Sequence, residues 1–295
     1  MITPELESFI NTHKDEIDHR LPAYIMDLEC PQKLKEAMIY SLKAGGKRIR
    51  PLLMLASISS YRQIEAEDYK AACSIEMVHT YSLIHDDLPA MDDDDYRRGQ
   101  WTNHKVYGEA FAVLAGDALL TNAFAMIGSL SQADDIQKVK LMNELSKDAG
   151  AEGMVGGQAA DLEGENKLLS QNELEYIHYR KTAALLQFSI AAGGILGRAP
   201  EQDLKQLRLF AQEMGLVFQI RDDILDIEGD EAEMGKATGR DEGKNKSTYP
   251  SLLTMEGAKD KLYHHAQQAK ASLQSTSAYS ALLSAFVDYT VTRLH

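Results

Sequence analysis

The stretch DYKAACSIEMVHTYSLIHDDLPAMDDDD, Asp68 to Asp95, decides the fold class. Ahead of its acidic end, Ala71, Ala72, Ile75, Met77, Val78, Leu83 and Ile84 fall on most sides of a helix, not in one stripe. A helix that is apolar nearly all round belongs at the centre of other helices. The same helical rhythm runs outward in both directions, and period-two alternation is nearly absent. Leu34, Ala37, Met38 and Ser41 share one face of a segment opened by Pro31 and closed by Gly45-Gly46. Arg50-Pro51 opens another, with Leu52, Leu53, Leu55, Ala56 and Ile58. Further helices are predicted over 110–127, 136–149, 171–193, 202–216 and on into a second acidic cluster, then over 263–273 and 279–293. The predicted fold is all-α, one large bundle of about ten helices around a central cavity.

Bulk properties narrow the function. The chain has 295 residues, 44% of them hydrophobic and only 7 of them Pro, with no linker or repeat, so a single domain over 1–295 is expected. A net charge of −14 argues against nucleic acid, whose phosphates need a basic face. Cys30 and Cys73 cannot make a disulfide framework and fit a reducing, cytoplasmic setting. Met1-Ile2-Thr3-Pro4-Glu5 shows no signal-peptide pattern, and no apolar stretch is read as reaching the ~18–20 residues that span a bilayer, so no membrane insertion is expected.

Two aspartate clusters carry the chemistry. Carboxylates without His or Cys partners favour hard cations, and Mg²⁺ in such sites bridges to substrate phosphates. Asp222 and Asp226 are spaced i, i+4, so they share a helix face and repel unless a cation lies between them. Their neighbours Leu216, Val217, Phe218, Ile220, Ile224 and Leu225 make a merely solvated acidic face the weaker reading. Asp86 and Asp92 are six apart, which a regular helix would put on different faces. Pro89 disfavours helix at Leu88, so the chain should break and swing Asp92 back beside Asp86. A calcium loop fails here, lacking the sharp-turn Gly and the twelfth-place Glu. Asp93, Asp94 and Asp95 are left as surface charge.

Cationic residues flank these clusters. Arg97-Arg98-Gly99 could neutralise the first cluster, or its guanidiniums could grip phosphate oxygens. Gly45-Gly46-Lys47-Arg48-Ile49-Arg50-Pro51 puts another basic patch at a helix start, where backbone N–H groups already favour anions. Residues 229–246 (GDEAEMGKATGRDEGKNK) are rich in Gly and charge. They read as a surface loop, or as a lid near 229–248 whose Lys236, Lys244 and Lys246 meet a bound anion.

These motifs together resemble the trans-prenyl diphosphate synthases of the bacterial farnesyl diphosphate synthase (geranyltranstransferase) type. The resemblance runs through Gly46-Lys47-Arg48-Ile49-Arg50-Pro51, Asp86-Asp87-Leu88-Pro89-Ala90-Met91-Asp92, Arg97-Arg98-Gly99 and Leu114-Ala115-Gly116-Asp117. It continues in Gly156-Gly157-Gln158, Lys181-Thr182, Phe218-Gln219, Asp222-Asp223-Ile224-Leu225-Asp226 and Lys246-Ser247-Thr248-Tyr249-Pro250. It implies that Asp86, Asp92 and Asp222, supported by Asp226 and Asp87, hold three Mg²⁺ ions. It implies that Arg97, Lys181, Lys236 and Lys246 bind the allylic diphosphate, and that Lys47, Arg50, His79 and Arg98 bind isopentenyl diphosphate. Thr182 and Gln219 would place oxygen dipoles near a developing cation. A homodimer and a head-to-tail condensation to farnesyl diphosphate are likewise what the resemblance implies.

Product length has its own candidate. Tyr81 lies five residues before Asp86, about 7–8 Å along the helix, where a ring could floor the tail cavity. Geometry alone leaves floor and ordinary core tyrosine even; in the family a bulky aromatic there goes with a fifteen-carbon product. The rivals are a geranyl or geranylgeranyl diphosphate synthase, or a silent prenyl-diphosphate-binding subunit. A terpene cyclase needs no second basic site, so Lys47, Arg50 and Arg98 argue against it. The tail Thr292-Arg293-Leu294-His295 departs from the family, which commonly has an acidic residue after the Arg.

Overall fold

A computed structural model describes residues 2–165, 167, 169–228 and 247–293. The predicted lid, with Lys236, Lys244 and Lys246, therefore lies outside the described residues apart from Ser247 and Thr248. The all-α expectation holds. In chain order the helices are α1 Pro4–Met26, α2 Gln32–Lys43, α3 Ile49–Ser59, α4 Ala66–Asp86, α5 Asn103–Tyr107, α6 Glu109–Gly128 and α7 Asp135–Ala149. They continue with α8 Met154–Gly164, α9 Gln171–His178, a π-helical turn Tyr179–Ala183, α10 Ala184–Leu196, α11 Glu201–Glu228, α12 Tyr249–Gln274 and α13 Ala281–Thr292. Two short strands, β1 Tyr96–Arg97 and β2 Gln100–Trp101, form a hairpin.

Chain contacts group these elements into two compact units. One comprises Ser8–Leu55 and Ile64–Met142; the other comprises Met1–Glu7, Ala56–Gln63 and Asn143–His295. In the first unit α4 is the core helix, with Ala72, Cys73, Ile75, Met77 and Val78 fully buried, as its all-round apolar pattern requires. A capping box starts it, the Glu65 amide donating to Asp68 Oδ2 at 2.8 Å. In the second unit α10 is buried along nearly its whole length, and it packs on α11. Thr248 caps α12, its hydroxyl accepting from the Ser251 amide.

One expectation needs correcting. α6 is 20 residues long with a mean hydropathy of 1.7, enough by length and composition to cross a bilayer, contrary to the sequence reading. The reading missed it because Gly and Ala dilute the bulky apolar residues. In this fold α6 packs on α2, α4 and α5, yet only 39% of its apolar window is buried.

Candidate active site

The first acidic site is built by the end of α4. The helix stops at Asp86, and the following turn returns, the Asp92 amide donating to the Asp86 carbonyl at 2.8 Å. The break at Pro89 thus brings Asp92 back to Asp86, as the spacing predicts. Asp87 takes a different part: it is buried, and Arg97 donates to both its carboxylate oxygens, at 2.7 and 3.0 Å. Burial raises the Asp87 pKa above its ordinary value, with the Arg97 guanidinium opposing that shift. Asp87 is the partner of Arg97. Asp95 pairs with Lys105 at 2.6 Å, while ligand atoms of Asp93, Asp95 and His104 lie within 4.8 Å of one another.

Arg97 and Arg98 read alike in sequence but are sent apart by the hairpin. Arg98 and Gly99 both have positive φ, +53° and +75°, the signature of the tight turn that matches strand twist. Arg97 on β1 turns to Asp87, whereas Arg98 at the turn donates to the Gly45 carbonyl. Gly46 makes room for it, since a Cβ there would sit 2.7 Å from Arg98 Nη1. The His79 imidazole is pushed well below its ordinary pKa, by burial and then by Arg50, Arg98, Arg97 and Arg48. His79 is therefore neutral at pH 7 within a cluster of guanidiniums, which gathers the predicted residues Arg50, His79 and Arg98 in one place. Tyr81 is buried on the same helix, edge-on to His85 at 5.6 Å. Burial, then the Asp86 and Asp117 carboxylates, push its phenol up to about 12.

The second acidic site is a cleft of about 170 Å³ in the other unit. Asp161, His178, Lys181, Thr182, Gln219, Asp222 and Asp223 line it, with Leu169, Leu174 and Ile177 on its apolar side. Lys181 and Thr182 sit on the π turn, a deformation common at functional sites. Two glycines hold that turn in place. A Cβ on Gly157 of α8 would lie 2.2 Å from the Lys181 amide nitrogen, and one on Gly215 of α11 would lie 2.1 Å from Ala183 Cβ. Close approach of α8 and α11 sets Lys181 and Thr182 beside Gln219 and Asp222.

Several partners here were not foreseen. Lys181 Nζ pairs with Asp161 Oδ2 at 2.7 Å; Asp161 is one turn beyond Gly157, so it shares the face that meets the π turn. Asp223 accepts from the Tyr249 amide at 2.8 Å and lies 3.5 Å from His178 Nε2. Burial opposes a charged His178, but Asp223, with Asp161 and Gln219, holds the imidazole above its usual pKa. Asp222 carries Arg293, which also donates to the Phe218 carbonyl and stacks over the Phe218 ring at 4.2 Å. Asp226 is buried one turn farther along α11. Lys236 and Lys246, assigned to the allylic diphosphate, lie outside the described residues.

The donors suit a hard divalent cation: carboxylate oxygens with no thiolate beside them, backed by cationic groups for phosphate. The family model described as polyprenyl synthetase matches residues 31–283. The farnesyl diphosphate synthase of Bacillus subtilis (strain 168) is 51% identical over 297 residues, covering 100% of both chains. That of Geobacillus stearothermophilus is 50% identical over 295 residues, 98% of each chain. The crystal structure of a Zymomonas mobilis FPP/GFPP synthase superposes with a TM-score of 0.84 at 34% identity, covering 98% of this chain and 99% of that one.

Proposed function

The chain belongs to the polyprenyl synthetase family, and we propose that it joins isopentenyl diphosphate head to tail with dimethylallyl and then geranyl diphosphate, releasing diphosphate and giving (2E,6E)-farnesyl diphosphate. The observation that carries this reading is the cleft where Lys181, Thr182, Gln219 and Asp222 meet, a cation, two oxygen dipoles and a carboxylate in one wall.

Asp86, Asp92 and Asp222, with Asp226 in support, would hold Mg²⁺. When bound, the metal neutralises charge building on the departing diphosphate. Lys181, released from Asp161, donates to the same oxygens, and Arg97 adds its guanidinium. Thr182 and Gln219 turn oxygen dipoles toward the allylic carbon as its C–O bond breaks. Lys47, Arg50 and Arg98, with the neutral His79, hold the isopentenyl diphosphate so that its double bond meets that carbon. The proton lost afterwards goes to the departed diphosphate. Asp222 and Asp223 are poor candidates for that proton, since Asp222 pairs with Arg293 and Asp223 accepts from the Tyr249 amide.

Three finer points belong to the same reading. Tyr81 floors the tail cavity and stops the product at fifteen carbons. Residues 1–295 act as one domain. A second copy of the chain covers the exposed apolar side of α6, making a homodimer. Diphosphate substrates and thiols at Cys30 and Cys73 suit the cytoplasm. The decisive assay supplies labelled isopentenyl diphosphate with each allylic primer, with and without Mg²⁺, and sizes the product. Mg²⁺-dependent farnesyl diphosphate is expected; no condensation with any primer would refute the reading.

A further inference from the structure

Lys47 in the α2–α3 loop and Arg50 in the first turn of α3 flank Arg48, whose side chain turns into the protein. Its side chain is only 2% exposed. Nε donates to Asp18 Oδ1 at 2.7 Å, Nη1 to Glu76 Oε1 at 2.6 Å and Nη2 to the Leu42 carbonyl at 2.6 Å. All of its fork is therefore used inside the protein. The backbone of this loop is left-handed at Gly45, Gly46 and Arg48, with φ of +84°, +130° and +53°. Glycine adopts that conformation freely, but Arg48 has a Cβ that crowds its own carbonyl there. The three bonds from its guanidinium hold the chain in that disfavoured turn.

Glu76 places the other end of the anchor. It is buried on α4, one turn before His79, so the Arg48–Glu76 pair ties the loop to the helix that carries the imidazole. On the opposite side of the loop, Arg98 lies against Gly46 and donates to the Gly45 carbonyl. The loop is thus gripped between two guanidiniums, one committed to the buried Glu76 and the half-buried Asp18 and one donating to the Gly45 carbonyl.

We propose that Arg48, anchored by Glu76 and Asp18, is the positioning residue of the isopentenyl diphosphate head site, fixing where Lys47 and Arg50 stand without touching the substrate. This rests on reading Lys47, Arg50, His79 and Arg98 as that head site. A purely electrostatic role for the network has the opposite signature. Removing the Glu76 charge leaves the cluster more positive, which would tighten diphosphate binding. A weaker grip on isopentenyl diphosphate in Glu76→Gln therefore reports position.

The test is steady-state kinetics on the full chain, varying each substrate in turn. Glu76→Gln and Arg48→Lys are expected to raise KM for isopentenyl diphosphate about tenfold while KM for geranyl diphosphate stays within about twofold. An unchanged or lower KM for isopentenyl diphosphate, or equal rises for both substrates, would overturn the proposal. KM counts only active molecules, so a poor yield of folded variant does not obscure it. Should neither variant fold, Asp18→Asn carries the test, because that side chain is 33% exposed. It must then raise KM for isopentenyl diphosphate by about threefold, or the proposal fails. Lys47→Ala and Arg50→Ala run alongside. If they leave that KM unchanged, it is the reading of the head site that fails, and not the anchor alone.

Discussion

Tyr81 and Asp148 show how much a single side chain can decide. Tyr81 is buried a little more than one helical turn before Asp86, so shrinking it would deepen any cavity that runs back along α4. Tyr81→Ala is expected to shift the product to twenty carbons or more, read by chromatography; an unchanged product would make Tyr81 ordinary core. The Asp148 carboxyl is pushed up to about 7, by burial and then by Glu144, with Arg208 and Lys147 opposing. Between pH ~4 and about 7 the folded chain keeps a proton that the unfolded chain has lost, so stability falls as pH rises through that window. Asp148→Asn removes the effect. It should melt higher than wild type at pH 8, by on the order of 2–4 kcal/mol of stability, and match it at pH 4. Equal melting at both would discount the buried charge. At this scale the sequence exposes residue types and spacing, which sufficed to foresee the turn that returns Asp92 to Asp86. It hides partners: nothing in the string pairs Arg97 with Asp87 and Arg98 with the Gly45 carbonyl, or marks Asp161 as the counter-ion of Lys181.

Elements explain why those partners were hidden. Apolar periodicity located α2, α3, α4, α6, α7, α10 and α11, because each buries a continuous face. It passed over α1, whose buried Ile17, Leu21 and Ile25 form a narrow i, i+4, i+8 stripe amid many His, Asp and Glu residues, and over α8, which is rich in Gly and Ala. It also ran α9 and α10 together, since a π turn adds one residue without breaking the apolar pattern. That turn is where Lys181 and Thr182 sit, and its position depends on α8 and α11 approaching within reach of a hydrogen in place of a methyl. Gly157→Ala would force a Cβ against the Lys181 backbone. The variant is expected to lose about 1–3 kcal/mol of stability and roughly a hundredfold in turnover, measured by melting and by single-turnover assay. Wild-type turnover in that variant would show that the close approach is dispensable.

For the whole molecule, the side of α6 that bears Val113 and Leu114, 39% and 52% exposed, is a poor surface to leave in water. Leu114→Glu should convert a dimer to a monomer in light scattering, and a monomeric wild type would remove the partner from the account. The apolar periodicity already pointed to a large helical protein. The proposed function adds that carboxylates far apart in sequence, Asp86 and Asp222, would hold Mg²⁺ for one substrate. Titration calorimetry with a geranyl diphosphate analogue, its bridging oxygen replaced by sulfur so that it cannot ionise, puts that to the test. With Mg²⁺ present, Asp86→Asn and Asp222→Asn should each weaken binding at least about tenfold, and with the metal chelated both should match wild type. Undiminished Mg²⁺-dependent affinity in either variant would contradict the account.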